Sequence, residues 1–218
     1  MVNADAFSFP KKWVILMVKW GCGRMENQKL GCLILAAGCS SRFQSNKLTA
    51  LFEGKPLIRR TLEAVPTDVF SSVTVVTQYD GVEALAREFG FACVRNDRPD
   101  LGQSRSVALG TAAMADCDGI AFVVADQPLL SQELLRRIAA EWRAHPDCIV
   151  GAAHAGKRGN PNLFPKRFFP ELLALTGDVG GSSVIRAHPE CFRSVETDAA
   201  SLTDVDTPQA LEVLRGRH

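Results

Sequence analysis

The chain has no long apolar run. Near its start the longest uncharged one, residues 13–18, covers six positions and is followed at once by Lys19. A membrane span needs about 20 such residues and a signal-peptide core about 7–15. Nor is there an excess of charge of either sign. The 25 Lys+Arg nearly cancel the 24 Asp+Glu, leaving +1, so there is no general electrostatic reason to bind nucleic acid or an anionic membrane. The seven cysteines are odd in number and no two form Cys-x-x-Cys. That excludes a disulfide framework and a zinc knuckle, and makes reduced thiols in the cytoplasm the default. The four histidines lack ligand spacing, and Gly-x-Ser-x-Gly is absent, so a hydrolase nucleophile elbow is excluded. Internal repeats and low-complexity linkers are also missing.

What is present is ordinary globular material: 218 residues, 46% hydrophobic and 22% charged. A chain of this size buries roughly 70% of its unfolded surface, enough for a core without staples. From residue 31 onward, short apolar runs alternate with helical patterns, which predicts one α/β domain over 31–218. Strands are expected at 31–36 (GCLILA), 72–77 (SVTVVT), 92–95, 120–125 (IAFVVA) and 148–152. Val82, Leu85, Ala86 and Phe89 fall on one helical face, as do Leu134, Ile138 and Trp142 behind Ser131 as N-cap. Pro56 suits the first turn of a helix carrying Ile58, Leu62 and Val65. Residues 1–30 read as an N-terminal extension. Its Trp-flanked run and Gly21-Cys22-Gly23 imitate a dinucleotide fingerprint, but the third glycine position falls on Glu26 and no room remains for the receiving helix. Residues 1–24 therefore read as an appendage, with Met25 a candidate start.

Four stretches carry candidate chemistry. In Leu33-Ile34-Leu35-Ala36-Ala37-Gly38-Cys39-Ser40-Ser41-Arg42, then Lys47, a buried strand runs into small residues and ends on two cations. Small side chains let backbone N–H groups approach a polyphosphate, and Arg42 and Lys47 can neutralise it. A tight turn with two solvated cations fits the same letters. In Val94-Arg95-Asn96 and Leu101-Gly102-Gln103-Ser104-Arg105-Ser106, Asn96 can hydrogen-bond a base or ribose, and Gly102 with Ser104 reads as the turn and cap of a helix over 106–115. In Val123-Val124-Ala125-Asp126-Gln127-Pro128, an aspartate follows an apolar strand at the sheet edge where α/β ligands bind. A plain turn is the alternative. Near the end, Asp204-Val205-Asp206-Thr207-Pro208 places Asp206 either at a site or merely beside a helix N-terminus.

Together, Leu-Ala-Ala-Gly-x-Ser-x-Arg-(x4)-Lys-Leu and the later Gly54-Lys55-Pro56-Leu57 resemble the signature of the molybdenum cofactor nucleotidyltransferases, best their cytidylyl branch. The resemblance implies a three-layer Rossmann-like domain with a mostly parallel mixed sheet. It also implies a Mg²⁺-dependent transfer of CMP from CTP to the phosphate of a molybdopterin-type cofactor, with release of pyrophosphate. Residue by residue, it implies nucleotide binding by Leu35, Ala36, Ala37, Gly38, Ser40, Arg42, Lys47, Thr77, Asn96, Gly102 and Ser106. Arg42, Lys47 and Asp126 would be catalytic, and Asp126 and Asp206 would hold Mg²⁺. Gln127, Asn160 (in Gly-Asn-Pro) and Asp178 (in Gly-Asp-x-Gly) would meet the acceptor. A molybdoenzyme or its maturation chaperone is the implied partner. Gln44 and Gly181-Ser182 depart from the family, which usually has glycine and Ala-Arg there. Ala37, where the guanylyl branch has glycine, favours CTP over GTP. The rival readings are a guanylyltransferase, a cytidylyltransferase for another phosphorylated acceptor, and a non-catalytic chaperone that binds nucleotide or cofactor.

Overall fold

The computed structural model describes residues 28–39 and 46–216. The fingerprint-like stretch, the signature's Ser40 and Arg42, and Gln44 lie outside them. Nine strands are described: β1 (Leu30–Ala36), β2 (Leu51–Phe52), β3 (Lys55–Pro56), β4 (Ser72–Thr77), β5 (Ala92–Arg95), β6 (Gly119–Val124), β7 (Ile149–His154), β8 (Lys157–Pro165) and β9 (Phe192–Glu196). The helices are α1 (Leu57–Glu63), α2 (Asp80–Glu88), α3 (Gln103–Ala113), α4 (Gln132–Ala144), α5 (Phe169–Leu173), α6 (Ser182–Ala187) and α7 (Pro208–Arg215). Seven strands form one mixed sheet in the order β5-β4-β1-β6-β8-β7-β9, and β2 and β3 form a small antiparallel pair. β1 pairs in parallel with both β4 and β6, and β4 with β5. β8 is antiparallel to both neighbours.

The central strands β1 and β6 are buried on both faces because they are apolar or small at every position rather than at alternate ones. In β1, Leu30, Cys32, Ile34 and Ala36 pack into one cluster with Ile58 and Leu62 of α1, Val82 and Ala86 of α2, and Ile138 and Trp142 of α4. The intervening Leu33, with Ala37 just beyond the strand, packs on the other face with Val107 of α3, Leu172 of α5 and Val184 of α6. The result is the three-layer α/β architecture expected. Phe52, Leu57, Val205, Leu211 and Leu214 form a third cluster that fastens the β2–β3 pair to α7. Among the described residues no helix is long and apolar enough to cross a membrane.

The strand limits predicted at 72–77 and 92–95 coincide with β4 and β5, and Ser131 does cap α4, accepting from Leu134 N at 3.2 Å. Three local expectations are corrected. The third predicted helix begins at Gln103, not Ser106, and neither Gly102 nor Ser104 provides a side-chain cap. Val65 lies beyond the end of α1. Asn160-Pro161 sits inside β8 rather than in a surface turn. Between the pairs Gly151–Asn162 and Ala153–Arg158, β8 places residues 159–161 against the single Ala152 of β7, so the proline lies in a bulge of β8 itself, one of the few places where a strand tolerates it.

Candidate active site

Four parallel strands end at the same edge of the sheet, and the residue or residues just past each one meet there. β1 gives the Ala37–Gly38–Cys39 loop, β5 gives Asn96 and β6 gives Asp126, while Gln78 and Tyr79 follow β4. The chain moves outward from β1 to β4 and β5, then crosses back to β6 on the other side of β1. That reversal leaves a crevice between the two loops, the usual ligand position in an open α/β sheet. A cavity of about 570 Å³ occupies it, and the loop residues 35–39, Lys47, Asn96, Gly102, Ser106, Asp126 and Asp178 line it. Its volume is within the 300–1,000 Å³ typical of small-molecule sites.

At one wall, three distant residues converge. Lys47 opens a single 3-10 turn whose cap, Asn46, accepts from Leu48 N at 3.1 Å. Its ammonium lies 2.6 Å from Asp126 Oδ2 and 3.1 Å from Asp206 Oδ1. The two carboxylates are thus less than two hydrogen-bond lengths apart. A backbone bond from Val205 N to Asp126 O at 2.9 Å ties the two acidic segments together. Burial, the largest single influence on Lys47, pulls its pKa down; the charges and hydrogen bonds of Asp126 and Asp206 together outweigh it and hold the ammonium above the ordinary lysine value. Asp126 Oδ1 is buried and makes no hydrogen bond in the structure, an arrangement that is costly unless a ligand completes it.

The sequence singles out Asp206, yet Asp204 belongs to the same acidic group. Gln127 Nε2 donates to its Oδ1 at 2.9 Å. Partial burial of the carboxyl, followed by the negative charge of Asp126, raises its pKa above the usual carboxylate range, although the residue as a whole is exposed. The spacing Asp-x-Asp was the available signal. That signal is weak on its own, because two acidic residues before a helix are also ordinary helix-dipole partners.

At the opposite wall, Asn96 is 1% exposed. Its Nδ2 donates to Ser106 Oγ at 3.0 Å and its Oδ1 accepts from Arg98 N at 3.1 Å. Each group keeps capacity for one further hydrogen bond. Gly102 adopts φ +84°, and a Cβ there would come within 2.5 Å of Gly177. The loop carrying Asp178 therefore presses on the start of α3, where Asp178 Oδ1 accepts from Gln103 N at 3.2 Å. Asp178 supplies the cap that Ser104 does not.

Four of the singled-out residues do not line the cavity: Asp206 meets its wall only through Lys47, and Thr77, Gln127 and Asn160 lie away from it. Thr77 is fully buried, its hydroxyl engaged by Ala36 O and Tyr79 N. Gln127 is 2% exposed behind Asp126. Asn160 accepts from Asn162 Nδ2 within β8.

A parallel sheet edge with a small-residue loop, an acidic pair and a buried ammonium is the frame of a nucleotide-binding α/β enzyme. Residues 32–192 match the MobA-like NTP transferase domain. The chain belongs to that family and is a nucleotidyltransferase. It is 26% identical over 204 residues to the purine catabolism protein PucB of Bacillus subtilis, covering 88% of this chain and 98% of that protein. To the molybdenum cofactor guanylyltransferase of Vibrio cholerae it is 29% identical over 198 residues, covering 85% and 91%. Among solved structures, Rv0371c from Mycobacterium tuberculosis in complex with manganese superimposes with a TM-score of 0.71 at 23% identity, covering 88% of this chain and all of that one.

Proposed function

We propose that the protein transfers CMP from CTP to the phosphate of a molybdopterin-type molybdenum cofactor, releasing pyrophosphate, with Mg²⁺ held by Asp126 and Asp206. The observation that carries this reading is the meeting of Lys47, Asp126 and Asp206 at the wall of a cavity floored by the Leu-Ala-Ala-Gly loop.

The residues fit a hard divalent ion. Asp126 Oδ1 is an orphaned buried oxygen, and the Lys47 ammonium already occupies a cation seat between the two carboxylates. Among the described residues no group of three or more His, Cys, Asp or Glu forms a closed metal cage. An ion that keeps phosphate oxygens and water as its remaining ligands suits such an open pair. When bound, it supplies charge neutralisation for the triphosphate.

The chain's own residues do the positioning. The Ala36–Gly38 backbone and Ser40 align the triphosphate, and Lys47 and Arg42 take up charge on the departing pyrophosphate. Asn96, Gly102 and Ser106 bound the nucleoside and Asp178 shapes the acceptor side, while Gln127 and Asn160, off the cavity wall, act there only through neighbours, as Gln127 does through Asp204. An acceptor phosphate oxygen attacks the α-phosphorus, the bond to the α–β bridging oxygen breaks, and pyrophosphate leaves. That acceptor is already ionised at neutral pH, so no general base is needed. Holding both anions in line is worth roughly 7–11 kcal/mol of barrier.

Ala37 favours cytosine. A methyl-sized difference discriminates by only about 1–3 kcal/mol, however, and the similarity to a guanylyltransferase supports GTP as the second reading. Incubation with each NTP and the molybdenum pterin, followed by product mass, decides between them. Asp126→Ala should abolish metal-dependent pyrophosphate release in a folded protein; unchanged turnover would remove the metal assignment.

A further inference from the structure

Three consecutive residues, the last of β4 and the two that follow it, donate to three consecutive carbonyls, the last of β1 and the two that follow it. Thr77 Oγ1 donates to Ala36 O at 3.1 Å, Gln78 Nε2 to Ala37 O at 2.8 Å, and Tyr79 Oη to Gly38 O at 3.0 Å. Tyr79 N in turn donates to Thr77 Oγ1 at 3.1 Å, which locks the first hydroxyl in place. Nothing in periodicity or spacing marks these residues, because the ladder exists only once β4 pairs beside β1.

The consequence follows from peptide geometry. In a planar trans peptide, the carbonyl of one residue and the N–H of the next point in opposite directions. With the carbonyls of Ala36, Ala37 and Gly38 all drawn toward β4, the N–H groups of Ala37, Gly38 and Cys39 turn the other way. β4 lies on one side of β1 and β6 on the other, so they turn toward the Asp126 side, across the cavity that these same loop residues line. A carbonyl facing a polyphosphate repels it, whereas a run of N–H groups makes an anion nest.

We infer that Thr77, Gln78 and Tyr79 are positioning residues that orient the loop's amides for the triphosphate and keep its carbonyls away from it. This rests on the nucleotide reading of the cavity and adds a cause for it. The ladder acts on phosphate oxygens, not on the base. Losing one rung should therefore weaken binding of CTP and of inorganic tripolyphosphate by the same factor.

The experiment is calorimetric titration of CTP and of tripolyphosphate into wild type, Tyr79→Phe, Gln78→Leu, Thr77→Val and Thr77→Ser, with melting temperatures alongside. The expected result is a parallel loss of about tenfold for both ligands in Tyr79→Phe and Gln78→Leu. Tyr79→Phe should melt like wild type, and Thr77→Ser should retain the binding that Thr77→Val loses. Amide exchange at residues 37–39 should quicken in the weakened variants. If wild type binds both ligands and the variants bind them equally well, the ladder has no such role. The same conclusion follows if the losses merely track melting temperature or affect CTP alone. A wild type that binds neither ligand would overturn the nucleotide reading itself, and the inference with it.

Discussion

Lys47 and Asp126 are joined by a 2.6 Å ion pair across 79 residues of sequence, and the same ammonium reaches Asp206 at 3.1 Å. It stands where a divalent ion would stand if these carboxylates hold one. Like charges at a few ångströms in a partly desolvated wall repel by several kcal/mol, so ammonium and metal should compete for the seat. Lys47→Met should bind Mn²⁺ about tenfold or more tightly than wild type in the absence of nucleotide, while Asp126→Asn should bind it weakly with or without Lys47. Titration followed by the electron paramagnetic resonance of free Mn²⁺ measures both. Equal affinity in wild type and Lys47→Met would show that the ion sits elsewhere.

On the nucleotide reading, Gly38 serves the ligand rather than the fold. Among the described residues a Cβ built there meets nothing within 4 Å, and the residue lines the cavity. Gly38→Ala should therefore melt within about 0.5 kcal/mol of wild type, the range for substitutions that touch nothing. CTP affinity should still fall severalfold, because the added methyl stands where the phosphates must approach the backbone. Chemical denaturation beside nucleotide titration separates the two effects.

Much of this was legible from the letters, and the exceptions share one cause. Apolar runs marked β1, β4 and β6, because a strand buried on both faces needs no alternation to be seen, and β5, a half-exposed edge strand, showed only as a short run of four residues. Asp126 was visible as an acidic residue closing an apolar strand, and Asp206 as one beside the start of the last helix. Their closeness was not visible, since it depends on the backbone bond from Val205 to Asp126. Gly159-Asn160-Pro161 signals a turn locally, while in the sheet the same residues form a bulge within β8 that only its pairing with β7 reveals. The cap of α3 was sought in its own first turn, and Asp178, 75 residues away, provides it.

Gly102 makes that distant cap workable. Its backbone is left-handed at φ +84°, and a side chain would meet the backbone of Gly177 at 2.5 Å. Gly102→Ala therefore carries both conformational strain and a clash with atoms that cannot rotate away. It should cost more than about 1 kcal/mol and push the Asp178 loop off the start of α3. A denaturant midpoint measures the first effect. The second should appear as faster proteolysis within residues 174–181; a variant that melts and cleaves like wild type would mean that loop and helix are not pressed together in solution.

Thr207 links a helix cap to the acidic pair. Its side chain accepts from Ala210 N at 3.1 Å and Pro208 fills the first position of α7, which buries Leu211 and Leu214 against Phe52 and Val205. Asp206 is the residue just before that cap, so the angle at which α7 begins sets where its carboxylate points. Thr207→Ala should lose about 1 kcal/mol of stability, as other N-cap deletions do, and Thr207→Ser should restore it. If the cap also aims Asp206, Thr207→Ala should lower metal affinity beside the stability loss, again with recovery in Thr207→Ser. Stability loss at unchanged metal affinity would mean that Asp206 finds its place through the Val205 bond alone.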